Sequence, residues 1–243
     1  MVQTENTAIV LRHANYRDND RMVTLLSPSR GRIDAIIRNC RKPKSHNLNA
    51  GELFALGDYM LFESGGRVTV TSVHLIETFY PLRNDYDRLA CGVWLLNLTE
   101  AVAEPEQEQQ ELFMLLLHTL SRLTFSDQAW QPLLAGFLLH FSVCEGFRPR
   151  LKHCVHCFRP LPETGPIFFD AEEGGVCCPD CRVGKAQRPL AREELAWMLA
   201  ALKAGSASWV NTPEARAPFS LLRDFVELRL GRRFKSDTQL PPA

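Results

Sequence analysis

Residues 154–181 read CVHCFRPLPETGPIFFDAEEGGVCCPDC and contain two pairs of cysteines, each with C-x2-C spacing. A C-x2-C turn directs both sulfurs toward one ion, and two such turns joined by a hairpin complete a tetrahedron with Zn–S bonds of about 2.3 Å. The stretch between the pairs, 158–177, has a length typical of a four-cysteine zinc site. We therefore predict one structural Zn²⁺ per chain, with no coordination position left for water. Its predicted ligands are Cys154, Cys157, Cys178 and Cys181.

One alternative concerns the ligands of this site, and another concerns whether the cysteines bind metal at all. Cys177 directly precedes Cys178 and could replace it with C-x3-C spacing, although the tighter C-x2-C turn favours Cys178. Two disulfides would suit a secreted protein, but the polar residues 3–6 do not resemble the start of a signal peptide. No stretch reaches the roughly 18 to 20 apolar residues of a membrane span. We therefore expect a cytoplasmic protein whose cysteines are reduced.

The charge of the chain is balanced overall but unevenly distributed. Lysine and arginine total 28, as do aspartate and glutamate, so the net charge excludes no class of partner. From 12 to 44 there are nine basic and three acidic residues, whereas from 81 to 147 there are three basic and nine acidic ones. Such asymmetry between segments indicates that different parts of the chain meet different partners.

The first 80 residues show the pattern of short strands. In the segment Arg67–Val73 valine alternates with polar residues, which is the period-two pattern of a half-buried strand. Further extended runs begin at 8, 21, 33 and 53, with turn residues such as those of 27–31 between them. Five short antiparallel strands without helical periodicity predict a small closed barrel of the OB type.

Helical periodicity begins after Pro81 and predicts a helical bundle interrupted by the cysteine hairpin. We expect Pro105 to head a helix with an acidic first turn, and two more helices near 192–204 and 213–231. The predicted fold class is α+β multidomain. Its predicted parts are an OB-fold DNA-binding domain at 1–80, the first part of the bundle at 81–147, a zinc-binding hairpin at 148–190, and C-terminal helices at 191–243, of which residues 235–243 are expected to be frayed.

No catalytic motif is present in the sequence. It contains no P-loop, no G-x-G-x-x-G after a strand and no G-x-S-x-G elbow, so we expect a protein that is not an enzyme. A metal-dependent nuclease is the enzymatic alternative, and it would need an acidic cluster among basic residues. The candidates for that cluster are Asp18, Asp20 and Asp34.

A basic loop is the strongest functional signal outside the cysteines. Four cations fall within seven positions, 38–44, between two predicted strands. Cationic side chains on a barrel loop provide an electrostatic track for phosphates. Charge alone leaves open a merely solvated loop, but the predicted barrel favours nucleic-acid binding. The candidate nucleic-acid-binding residues are Arg30, Arg32, Arg38, Arg41, Lys42 and Lys44.

The order of these features resembles the RecO family of bacterial recombination mediators. The sequences GRIDA at 31–35 and RKPKS at 41–45 carry the resemblance, together with the helices and the two C-x2-C turns that follow, with Gly174-Gly175 between them. It extends over the whole chain. The family pattern often has glycine after each cysteine turn, and Phe158 and Arg182 depart from it.

The resemblance implies a non-enzymatic DNA-repair protein of the RecF pathway. Such proteins bind single- and double-stranded DNA, anneal complementary strands and, with RecR, help to load RecA on strands coated by single-strand-binding protein. It also implies cytoplasmic location, with nucleoid association during repair, and a structural zinc. We expect the acidic tail of single-strand-binding protein to meet the cations of 81–147, which are Arg83, Arg88 and Arg122. The alternative is a protein-binding zinc scaffold without DNA activity.

Overall fold

In a computed structural model the chain forms two compact units. The first contains the described residues up to Thr124 together with Leu240, and the second contains those from Phe125 to Phe234. The predicted boundary after residue 80 therefore falls within the first unit, between its barrel and the two helices that follow. The structure describes residues 2–182, 187–206, 208–209, 216–234 and 240.

Five strands form the closed barrel of the first unit. They pair in the order β1-β2-β3-β5-β4, and β4 closes the ring by pairing with β1. Only β3 and β5 are parallel among these neighbours. The predicted five-stranded OB-type barrel is confirmed. The strands are β1 (Val2–Tyr16), β2 (Asp20–Ser27), β3 (Gly31–Ile37), β4 (Leu56–Ser64) and β5 (Arg67–Glu77).

Alternation of burial along the strands creates the barrel core. In β3, Ile33, Ala35 and Ile37 are buried while the residues between them are at least partly exposed. The core also receives Tyr59, which is fully buried. Its hydroxyl lies 2.9 Å from the carbonyl oxygen of Ala50 and 3.1 Å from that of Ala55. Because both carbonyls belong to the β3–β4 connection, this tyrosine attaches that loop to the barrel interior.

Two helices, α1 (Tyr86–Val102) and α2 (Gln110–Phe125), follow the barrel. The expectation that Pro105 heads a helix is wrong, because α2 begins only at Gln110 and Pro105 forms a β-bridge with Gly31. Gly31 has a φ of 62°, and a Cβ there would lie 2.2 Å from the carbonyl oxygen of Glu104. Because Gly31 has no side chain, segment 103–109 can approach its backbone closely and pair with the barrel instead of forming a helix.

In its described part, the second unit combines three helices with a small sheet. The described sheet has the order β7-β6-β8, and α3 contacts both α4 and α5. The predicted helix at 192–204 is confirmed. The last helix begins at Phe219 after Pro218, and its predicted start at 213 lies outside the described residues, as does most of 235–243. The elements are α3 (Trp130–Cys144), β6 (Ile167–Asp170), β7 (Gly175–Cys177), β8 (Gln187–Leu190), α4 (Arg192–Ala204) and α5 (Phe219–Arg229).

A buried histidine lies in the helical core of this unit. His140 on α3 is only 4% exposed, and its Nε2 lies 3.2 Å from the carbonyl oxygen of Ala201. The ring stacks near Trp209, with centroids 6.3 Å apart. Burial lowers the pKa of His140 to about 4, because the imidazolium would lose its hydration. We therefore treat His140 as a neutral donor to the Ala201 carbonyl at neutral pH.

Candidate nucleic-acid interface and metal centre

The basic loop connects β3 to β4 and is built from successive turns. Its cations Arg38, Arg41, Lys42 and Lys44 are all exposed, whereas Cys40 within it is 4% exposed and packs in the barrel core. The backbone N–H of Arg41 donates to the carbonyl of Asn19 at 3.1 Å. The loop is therefore fixed at its base while its charged side chains point to solvent.

The charge of this loop is not neutralised by nearby carboxylates. The stretch 38–51 contains no aspartate or glutamate. Among the described residues, no carboxylate lies within ion-pair distance of Arg38, Lys42 or Lys44. Arg41 donates to the backbone carbonyl of Asp18 at 3.2 Å, which leaves its charge unpaired. The four cations are therefore available to bind an anionic ligand.

Arg30 and Arg32 stand in different surroundings from the loop cations. The guanidinium of Arg30 contacts the carboxylates of Glu63 and Glu106, the latter at 2.6 Å, and these contacts raise the pKa of Arg30, with the hydrogen bond to Glu106 contributing most. Arg32 pairs with Asp34 at 2.9 Å. Both arginines lie at the start of β3, about 20 Å along the strand from the loop at its end. The structure thus brings together four of the six candidates and places the other two in internal ion pairs.

Two of the three acidic residues considered for a nuclease site serve local structure. Asp34 accepts a hydrogen bond from the hydroxyl of Thr24 at 2.7 Å, and Asp20 accepts one from the backbone N–H of Asn39 at 2.9 Å. Within the described ranges, the only group of three or more potential metal ligands is the cysteine cluster. No nuclease-type acidic centre is therefore formed by the part of the chain that the structure describes.

The two C-x2-C turns bring four sulfurs together. All sulfurs of Cys154, Cys157, Cys178 and Cys181 lie within 4.8 Å of one another, and those of Cys157 and Cys178 are 3.8 Å apart. A tetrahedron with Zn–S bonds of about 2.3 Å has edges of about 3.8 Å, so the donor set fits Zn²⁺. Cys177 lies outside this group and is fully buried in β7, where burial raises the pKa of its thiol to about 11.

The first cysteine turn is closed by an unusual backbone conformation. The N–H of Phe158 donates to the carbonyl of Cys154 at 2.9 Å, and Phe158 itself has a φ of 60°, in the left-handed region that favours glycine. The backbone N–H and the guanidinium of Arg159 lower the pKa of Cys157 to about 6, which favours the thiolate that a metal requires. In the second turn Arg182 has an ordinary φ of −72°, so only the first departure from glycine is strained.

A buried carboxylate anchors the first turn to the sheet. Asp170 on β6 accepts hydrogen bonds from His156 at 3.0 Å, from Gln187 at 2.8 Å and from the N–H of Glu173 at 3.0 Å. Burial opposes ionisation, but these hydrogen bonds prevail and lower the pKa of Asp170. Sequence analysis missed this anchor because the partners are 14 and 17 residues from Asp170 and their pairing depends on the sheet register.

The described helices show nothing that would span a bilayer, since none of them combines sufficient length with sufficient apolar character.

The class of protein that these observations define is an α+β protein with an OB-type barrel followed by helices and a four-thiol hairpin. Two sequence models match it, "Recombination protein O N terminal" over residues 1–79 and "Recombination protein O C terminal" over residues 83–238. A "DNA repair protein RecO" from Anaeromyxobacter dehalogenans is 34% identical over 240 residues, covering 96% of this chain and 94% of the relative.

Two further relatives with the same description agree. The one from Symbiobacterium thermophilum is 33% identical over 174 residues, covering 71% of this chain and 69% of its own. The one from a Synechococcus strain is 30% identical over 252 residues, covering 95% and 86%. The chain belongs to the RecO family of DNA repair proteins, which is not a known enzyme family.

Proposed function

We propose that this chain is a non-enzymatic recombination mediator that binds single- and double-stranded DNA through the β3–β4 loop. The observation that carries the proposal is the set of four exposed cations on a closed OB-type barrel, none of which forms an ion pair with a carboxylate of the described residues. Membership of a DNA-repair family supports DNA as the anion. Phosphate contacts from such a loop position the backbone without reading its sequence.

Strand annealing needs no catalytic group in this account. Two DNA strands repel each other through their phosphates, and a cationic surface that binds both lowers that repulsion. Binding also releases condensed counterions, so the affinity should fall steeply as salt rises. The basic loop would supply this term because its cations are exposed and phosphate contacts do not depend on the base sequence.

The family suggests protein partners for this step. We infer that the chain acts with RecR to load RecA on strands coated by single-strand-binding protein, in the cytoplasm and in association with the nucleoid. The zinc, held by the four thiols, would stabilise the hairpin of the second unit and would take no part in chemistry. No exposed membrane-binding element is needed for this role.

The arginines expected to meet the acidic tail of single-strand-binding protein differ in their surroundings. Arg83 donates to the carbonyls of Thr78 and Leu53, and Arg88 contacts the carbonyl of Leu123. Arg83 and Arg88 are half-buried, whereas the side chain of Arg122 on α2 is exposed. We therefore favour Arg122 as the arginine that meets the tail.

A direct experiment tests the function. The purified chain is mixed with labelled complementary oligonucleotides, and binding and annealing are followed with magnesium and with EDTA. We expect both activities in either condition and intact oligonucleotides throughout. Magnesium-dependent cleavage would favour the nuclease alternative, and absence of both binding and annealing would favour the protein-binding scaffold.

A further inference from the structure

A second row of cations lies in the second unit, along the segment that enters the cysteine hairpin. Arg148, Arg150 and Lys152 are exposed, whereas the two residues between them are buried. Arg150 forms a β-bridge with Gly175, and the chain bends at Lys152. All three cations line one groove. They can therefore act together on a single polyanionic ligand.

This row borders a groove with an exposed aromatic ring. The groove has a volume of about 570 Å³, which is in the range of pockets that hold a small organic molecule. Leu199 and Leu202 of α4 form part of its wall, and so does Phe158, which is 69% exposed. The ring gains little burial, and the positive φ of Phe158 would suit glycine better. Neither packing nor backbone geometry therefore explains a phenylalanine here, but contact with a ligand would.

The charges around the groove leave a surplus for an anion. The stretch 148–161 contains no aspartate or glutamate. Arg150 is partly engaged, because it donates to the carbonyl of Glu173 and its guanidinium lies 3.9 Å from that carboxylate. Among the described residues no carboxylate pairs with Arg148 or Lys152.

The net negative charge of a zinc tetrathiolate is met by a different cation. Arg159 hydrogen-bonds to the sulfur of Cys157, and this contact raises the pKa of the arginine. Arg159 does not line the groove. Arg159 offsets one unit of the −2 charge of that centre, and among the described contacts neither Arg148 nor Lys152 bonds to a cysteine sulfur.

We propose that this groove is a second binding site for single-stranded DNA, separate from the barrel loop. Consecutive phosphates would pair with the row of cations while a base stacks on Phe158, which is the combination found in sequence-tolerant single-strand sites. The exposed Phe158 ring beside the cations favours a strand with stackable bases over an acidic peptide. The inference rests on the proposed function in taking DNA as the anion, and it gives each unit a site for one strand.

The test uses the full-length, zinc-loaded chain in which Arg38, Arg41, Lys42 and Lys44 are replaced by alanine. In this background, Phe158→Ala should lower the residual affinity for an unstructured oligonucleotide about fivefold to a hundredfold, as loss of one stacked base does. Phe158→Tyr should keep the affinity. Phe158→Gly should bind as weakly as the alanine variant while folding at least as well, because it relieves the positive φ.

The cations are tested by a charge-matched pair of variants. Arg148→Gln with Lys152→Gln should reduce the slope of log affinity against log salt by roughly 1.4, at about 0.7 per phosphate contact. The control, Arg232→Gln with Arg233→Gln, removes the same charge from exposed positions near the end of α5 and should leave the slope unchanged.

Several outcomes would overturn the second site. The first is an undetectable affinity for the oligonucleotide in the loop-neutralised background. The second is an unchanged affinity in both Phe158→Ala and Phe158→Gly. The third is a groove that binds a labelled acidic peptide while the groove variants leave DNA binding unchanged. In each case binding by the unmodified chain would still support the proposed function. Failure of the unmodified chain to bind DNA would instead refute the proposed function itself.

Discussion

Protonation of His140 should destabilise the second unit as the pH falls. The folded structure holds this ring neutral, 4% exposed and donating to the Ala201 carbonyl, with a pKa lowered to about 4 by burial. The unfolded chain has a histidine pKa of about 6.5. Between these values the unfolded state binds the extra proton, so stability is fully present above about pH 6.5 and is lost as the pH falls toward 4.

The size of the effect follows from the two pKa values. Each pKa unit corresponds to about 1.4 kcal/mol, so the full loss below pH 4 is about 3 kcal/mol. At pH 5 the histidine alone should account for a loss of about 2 kcal/mol relative to pH 8. The positive charge of Arg148 also lowers the pKa of His140, because it disfavours the imidazolium.

The assay is urea unfolding of the zinc-saturated chain at pH 8 and pH 5, followed by tryptophan fluorescence, which Trp209 should report because it stacks near His140. His140→Gln is the comparison, since its amide can still donate to the Ala201 carbonyl but does not titrate. We expect the wild type to lose about 2 kcal/mol more than the variant between the two pH values. Equal losses would refute the reasoning and assign the pH dependence to the metal site or the carboxylates.

The remaining predictions concern the metal centre, a packed glycine and the tail site. Cys178→Ser should release zinc and destabilise the second unit, whereas Cys177→Ser should keep one zinc per chain; metal analysis that finds no zinc, or the same content in both, contradicts the ligand set. Gly136→Ala should destabilise the second unit by about 1–3 kcal/mol or more, because its Cβ would lie 2.1 Å from the Trp209 ring, and an unchanged melting temperature would contradict this packing. Arg122→Glu should weaken binding of a labelled acidic tail peptide more than an exposed Arg67→Glu control does, and equal affinities would move the tail site elsewhere.

The barrel could be predicted from sequence because its information is local. Valine alternation in 67–73 and turn residues at 27–31 both arise from neighbours along the chain, and the cysteine turns carry their geometry in their spacing. The same local reasoning failed at Pro105, since an acidic stretch after a proline looks like the start of a helix. What decides that segment is its pairing with Gly31, far away in sequence.

For the candidate DNA-binding residues, too, local features could be predicted from the sequence and contacts between distant residues could not. The exposure of Arg38, Lys42 and Lys44 follows from a polar loop, but the pairing of Arg30 with Glu63 and Glu106 joins positions 33 and 76 residues apart. No pattern within a short window distinguishes a cation free for DNA from one engaged by distant carboxylates. The role of Phe158 is hidden for a related reason, because its positive φ and exposure appear only once the turn is built.

The salt dependence of DNA binding tests the central claim most directly. The affinity of the purified chain for a single-stranded oligonucleotide is measured over a range of salt, for the parent and for the variant with alanine at Arg38, Arg41, Lys42 and Lys44. A control has alanine at an equal number of cations in the second unit, Lys203, Arg223, Arg232 and Arg233. Loss of about four phosphate contacts should reduce the log–log slope by roughly 3, similarly for oligonucleotides of different sequence, and leave the control unchanged. A slope identical to that of the parent would contradict the assignment of the β3–β4 loop as the DNA-binding surface.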